Sequence, residues 1–175
     1  MGIRSGLKCL LHTAPLMSLC SFEYRGRPII THVLPWMDIY IPEVTLQQME
    51  AHPTYSDTRV VLALIESQHI TPLVAPNRAI ILEVYPKLGR DERAIIRLGL
   101  TRTDYVPVLD DMESFVVACR CGLLPMDLPD VLVELVMHHD FEWQLGRDII
   151  GVWMEKKRYQ QAHLRHMIDK LEDLT

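Results

Sequence analysis

Two adjacent carboxylates, Asp110 and Asp111, close the apolar run 105–109, and His12 closes the run 7–12. Carboxylate oxygens are hard donors and imidazole nitrogen a borderline one, so these residues could hold a divalent ion such as Mn²⁺ or Zn²⁺ together with a water. Each also has a plainer role. An aspartate after a strand can cap the helix that follows, and a histidine at a strand terminus can be a core residue with its hydrogen bonds met. His138, His139, His163 and His166 lack a third ligand at matching spacing and read as surface residues.

The elements that must position these groups alternate between short apolar runs and segments of helical period, as in a parallel sheet covered by helices on both faces. Strands are expected at 7–12, 38–41, 70–74 and 105–109. Helices are expected at 14–22, 29–37, from Pro42 onward through Met49, from Ser56 or Asp57 as a cap, at 91–98, 112–121, 128–138 and 142–174. Asp91 and Glu92 lie in a first helical turn, where the helix dipole favours acids. Gly122 suits a C-terminal cap. Carboxylates at the C-terminal end of a parallel strand lie where open α/β sheets place their ligand sites.

The 175 residues, 49% hydrophobic and 23% charged, suffice for one sizeable core. A net charge of −5 argues against a broad basic surface for nucleic acid. Arg90, Arg93, Arg97 and Arg102 could still form a local patch, as could Lys156, Lys157 and Arg158, or both could be solvated helix faces. Cys9, Cys20, Cys119 and Cys121 lack zinc-finger or CxxC spacing and read as reduced, buried thiols of a cytoplasmic protein. The stretch 7–19 is apolar but interrupted by Lys8, His12 and Pro15, so neither a signal peptide nor a membrane span is expected.

Three segments together resemble a family. His12-Thr13-Ala14-Pro15-Leu16-Met17 looks like the first-strand motif of toxin-like PIN domains. Ile39-Tyr40-Ile41-Pro42 running into Glu43 to Met49 is similar to their second-strand motif. Leu88 to Leu98, then the strand ending in Asp110-Asp111, then a helix ending at Gly122, resembles their acidic-helix, strand, Asp-Asp, helix core. The resemblance spans nearly the whole chain in order.

It implies a three-layer α/β/α PIN-like fold with a central parallel sheet of four or five strands over residues 1–140. A helical C-terminal extension, 141–175, would pack on the same domain. It also implies a metal-dependent ribonuclease site of three or four carboxylates holding Mg²⁺ or Mn²⁺, which would activate water and stabilise the scissile phosphate. Of those acids, the first maps to His12 and the second to Gln48. The third falls on Arg93, or with a one-residue gap on Asp91 or Glu92, and the last survives as Asp110 or Asp111.

The expected cofactor is therefore none, or weakly bound Mg²⁺ or Mn²⁺ on Asp110 and Asp111. The leading reading is a PIN-like protein with a degenerate metal site that binds RNA or a protein partner at the old cleft. Alternatives are an active toxin-like endoribonuclease, with Asp110 and Asp111 catalytic, and a structural subunit of a larger assembly. Expected partners are RNA, an antitoxin-like protein or a second copy in a homodimer, and no membrane.

Overall fold

Cys9, Leu10 and Leu11 are fully enclosed, and with Leu7 and Lys8 they form the central strand β1, Leu7–Leu11. Such a run makes a strand when both faces of its sheet are covered. In the computed structural model, which describes residues 6–77 and 82–174, helix α1 (Thr13–Ser21) follows directly. A small hairpin, β2 (Glu23–Tyr24) and β3 (Arg27–Pro28), then leads through α2 (Ile30–Val33) to β4 (Met37–Pro42), α3 (Glu43–Ala51), α4 (Ser56–Glu66) and β5 (Ile70–Leu73). The chain continues with α5 (Arg90–Thr101), β6 (Val106–Val108), α6 (Met112–Arg120), α7 (Leu128–His138), α8 (Trp143–Glu155) and α9 (Gln161–Glu172).

The main sheet has four parallel strands in the order β5-β4-β1-β6. The chain therefore grows outward from β1 through β4 to β5, then returns to the opposite side of β1 with β6. That reversal puts a topological switch point between β1 and β6, outside whose carboxyl ends open α/β sheets bind ligands.

Side-chain alternation along β1 divides the core in two. Cys9 and Leu11 join the larger cluster with Leu16 and Leu19 of α1, Val131 and Leu135 of α7, Ile149 and Trp153 of α8, and Leu164 and Met167 of α9. Leu10 joins Ile95 and Leu98 of α5, Leu109 just after β6, and Val117 of α6 in the other. Helices thus cover both faces, giving the α/β/α layering. The C-terminal helices share the core of β1.

Several sequence expectations need correction. The expected helix 142–174 is two, because Lys157 takes a left-handed conformation (φ 53°) and the Arg158 amide reaches back to the Trp153 carbonyl at 2.9 Å. This is a helix stop of the Schellman type without the usual glycine, so nothing in composition marks it. Residues 23–28 form a hairpin that turns at Arg25 and Gly26, both at positive φ. Tyr55, not Ser56 or Asp57, is the N-cap of α4, and the Asp57 carboxylate accepts from Thr58 N at 2.8 Å and Ser21 Oγ at 3.0 Å. Cys9 and Cys20 are buried free thiols, whereas Cys119 is exposed and Cys121 half-buried. Among the described residues no helix is long and apolar enough to cross a membrane.

Candidate functional site

His12 leaves β1 at the switch point and serves as N-cap residue of α1, and its backbone amide donates to Val108 O of β6 at 3.2 Å. Its ring turns towards α5. Nε2 lies 2.9 Å from Asp91 Oδ2 and 3.8 Å from Glu92 Oε1. Thr13 Oγ1 donates to Asp91 Oδ2 at 2.9 Å and sits 3.2 Å from the side-chain amide of Gln48 on α3. The Gln48 atom in contact is Oε1, so Asp91 and Gln48 compete as acceptors for the one hydroxyl hydrogen, and the shorter bond goes to Asp91. The end of β1, α3 and the first turn of α5 thus bring His12, Gln48, Asp91 and Glu92 together.

Charge fixes the state of this cluster. Burial disfavours a charged imidazole, but the hydrogen bond to Asp91 and the carboxylates of Asp91, Glu92 and Asp111 outweigh it, so the His12 pKa is raised above 6.5. Burial likewise opposes ionisation of Asp91, yet the His12 contact and the Thr13 hydroxyl bring its pKa down to about 2. Glu92 goes the other way: burial first, then the charge of Asp111, raise it despite a hydrogen bond from the Gly89 amide. The ring's Nδ1 is buried and has no partner among the described residues.

The paired aspartates divide their work. Asp111 caps α6, its Oδ1 accepting from Glu113 N and Ser114 N at 3.0 Å each, while Ser114 Oγ donates to Oδ2. That is the plain capping role, and it occupies most of the lone pairs a metal would use. Asp110, with its side chain 4% exposed, accepts from Arg158 Nη2 at 2.9 Å, Tyr159 Oη at 2.7 Å and Leu128 N at 3.3 Å. Burial outweighs these bonds and raises its pKa above the ordinary carboxylate value. Arg158 is held in turn by Ser18 Oγ at 2.6 Å and Ala14 O at 3.4 Å. A cation tethered by the α8–α9 break thus stands against the acid expected as the metal ligand.

Arg93, one choice for the third ligand position, points elsewhere. Two residues along a helix is a rotation of about 200°, so with Asp91 facing His12, Arg93 faces away from it. Its Nη2 donates to Tyr85 O at 3.2 Å, and it lines a separate 290 Å³ cleft with Arg90, Arg97, Pro42, Glu43 and Gln47. Asp91 and Glu92 are the acids of α5 that meet His12.

A second cleft, of 400 Å³, lies on the other side of Asp110 and Asp111, with Asp127, Asp130, Tyr159 and His163 in its walls. A bridge between Val108 and Met126 lays the chain entering α7 beside β6, so Asp127 follows close to Asp110. Ligand atoms of Asp127, Asp130 and His163 lie within 4.8 Å of one another, one nitrogen and two oxygens, a donor set suited to Zn²⁺ or Mn²⁺. His163 Nε2 is 2.6 Å from Asp127 Oδ2, so His163 is not the bare surface residue expected, whereas His138 and His166 are exposed. Burial and the Asp130 charge push Asp127 up to about 6, against its hydrogen bond from Asp130 N and its contact with His163.

The residues around His12 do not fit a hard cation. Mg²⁺ requires free oxygen ligands, whereas Asp91, Asp110 and Asp111 each already accept from side chains or amides and two of them face cationic groups. Sequence reasoning missed Thr13, Arg158, Tyr159 and Asp127. The available signal was the basic run Lys156, Lys157 and Arg158, which could be read as a local patch or as a solvated helix face. Comparison of the chain with family models, with curated proteins and with solved structures finds no match.

Proposed function

We propose that this chain is a PIN-like protein that has exchanged its metal site for internal charge pairs and acts by binding RNA without cleaving it. The observation that carries the reading is the closure of Asp110 by Arg158 and Tyr159. Together with the His12 to Asp91 pair, it supplies protein cations where the resemblance places metal. Guanidinium and imidazolium neutralise carboxylates as a metal does, but they neither bind an attacking water as a Lewis acid nor lower its pKa.

RNA is favoured over a protein ligand by the arginines gathered on one face of α5 in a chain that is acidic overall. The test is fluorescence anisotropy of a labelled single-stranded RNA, titrated with the full chain at low salt in chelator. Saturable binding that weakens steeply with added salt is expected. Absence of binding would overturn the reading. A metal-dependent endoribonuclease is the second reading, favoured by the convergence of Asp127, Asp130 and His163 on the cleft that Asp110 and Asp111 share.

A further inference from the structure

Arg90, Arg93 and Arg97 occupy positions i, i+3 and i+7 of α5 and therefore lie along one side of it. All three line the 290 Å³ cleft, whose facing wall is Pro42, Glu43 and Gln47 at the junction of β4 and α3. Arg90 is exposed, and Arg93 and Arg97 are half-buried. Among the described lining residues Glu43 is the only acid. The acids next in sequence, Asp91 and Glu92, are turned to His12 and Gly89 on the other side of the helix.

Arg93 carries the argument. Its Nη2 has a neutral carbonyl as partner, Tyr85 O, and its Nε is sealed from solvent with no acceptor among the described residues. Among the described residues, a half-buried guanidinium in that state has donor capacity left over and no carboxylate against its charge. The ligand that answers both is a phosphate, whose oxygens match the planar fork of arginine.

We propose that this cleft binds a phosphate group, presented by an RNA backbone or by a free nucleotide. No aromatic side chain is present among the described lining residues, so the cleft offers a base no aromatic platform and the contact it favours is with the phosphate and its sugar. Binding is accordingly insensitive to base identity. The inference deepens the RNA-binding reading by naming its contact surface, yet its phosphate arm stands without RNA.

The full chain is titrated at low salt with inorganic phosphate, adenosine 5′-monophosphate, and ten-nucleotide oligo(U) and oligo(A), followed by calorimetry and anisotropy. Arg90→Glu, at an exposed position, and Arg93→Gln are each expected to weaken the bound probe at least about tenfold and to reduce the salt slope by about one. Arg165→Gln, at an exposed position of α9 away from the cleft, leaves binding unchanged. Phosphate or the mononucleotide binding by itself assigns a free phosphate ester as sufficient, and binding confined to the oligonucleotides assigns the backbone. Both uphold the cleft. It is overturned if no phosphate-bearing probe binds, or if Arg90→Glu and Arg93→Gln bind as tightly as the parent. RNA binding that survives both variants leaves the RNA reading intact and sinks the cleft, whereas RNA cleavage sinks the non-cleaving reading and leaves the cleft standing.

Discussion

Arg158 Nη2 stands 2.9 Å from Asp110 Oδ2, joining the break between α8 and α9 to the end of β6 across 48 residues of sequence. The aspartate is almost completely enclosed and the arginine is about a quarter exposed. Removing one member of a buried pair leaves the other charge unmet, so Arg158→Met is expected to cost about 2–3 kcal/mol, below the roughly 3–5 kcal/mol of fully buried pairs because of that exposure. Asp110→Asn in the same chain recovers part of the loss, and the cycle should give a coupling of at least about 1 kcal/mol. Urea denaturation of the four proteins measures this, and additive effects would show that the two residues do not act as a pair.

Stability around His12 should depend on pH in a defined window. The His12 pKa is raised by folding, so its contribution is fully present below about 6.5 and is lost as pH rises through the folded value. Asp91 is lowered to about 2, so its contribution is present above 3.8 and is lost as pH falls towards 2. The pair is therefore fully effective between about 4 and 6.5. The urea midpoint of the parent should drop between pH 6.5 and 8.5 more than that of His12→Gln, and parallel curves for the two would exclude the pairing.

Asp111 is assigned to the N-terminus of α6 by its bonds to Glu113 N and Ser114 N. Loss of such a cap costs about 1 kcal/mol, so Asp111→Ala should lower stability by that amount and Asp111→Asn by less than half of it. The difference should be the same in chelator and in Mg²⁺. A cost that appears only with metal would make Asp111 a ligand instead.

The sheet could be read from sequence because buried parallel strands such as Leu7–Leu11 are continuous apolar runs and the helices between them repeat at 3.6 residues. Motif order along the chain put His12 and Gln48 in one cleft, but it left Arg93, Asp91 and Glu92 open for the third position. What could not be read is what closes the site. Lys157 adopts a glycine-like conformation without being glycine, so the helix stop that aims Arg158 and Tyr159 at Asp110 has no compositional mark. The direction of Arg93 needed the helical phase of α5, which Asp91 sets by its contact with His12 rather than by any feature of the local sequence. His163 was hidden for the same reason, since its partner Asp127 lies 36 residues away.

Placing acids at the positions of His12 and Gln48 should create a metal site in part. His12→Asp with Gln48→Glu places two more carboxylates beside Asp91 and Glu92, where like charges repel and raise one another's pKa. The double variant should be less stable than the parent in chelator and gain more from Mg²⁺, since a ligand that binds only the native state stabilises by mass action. Thermal unfolding of both proteins, with and without metal, reads this. Arg93 needs no change, because it lines the other cleft. Equal responses of parent and variant would remove these positions from a common site.

The fate of bound RNA tests the central claim most directly. An end-labelled single-stranded RNA is incubated with saturating full chain in chelator, Mg²⁺ or Mn²⁺, and its length is followed on a denaturing gel. The account predicts intact RNA in all three conditions, because Asp110 is held by Arg158 and Tyr159 and Asp91 by His12. Cleavage that requires metal and disappears in Asp110→Asn or Asp91→Asn would contradict it.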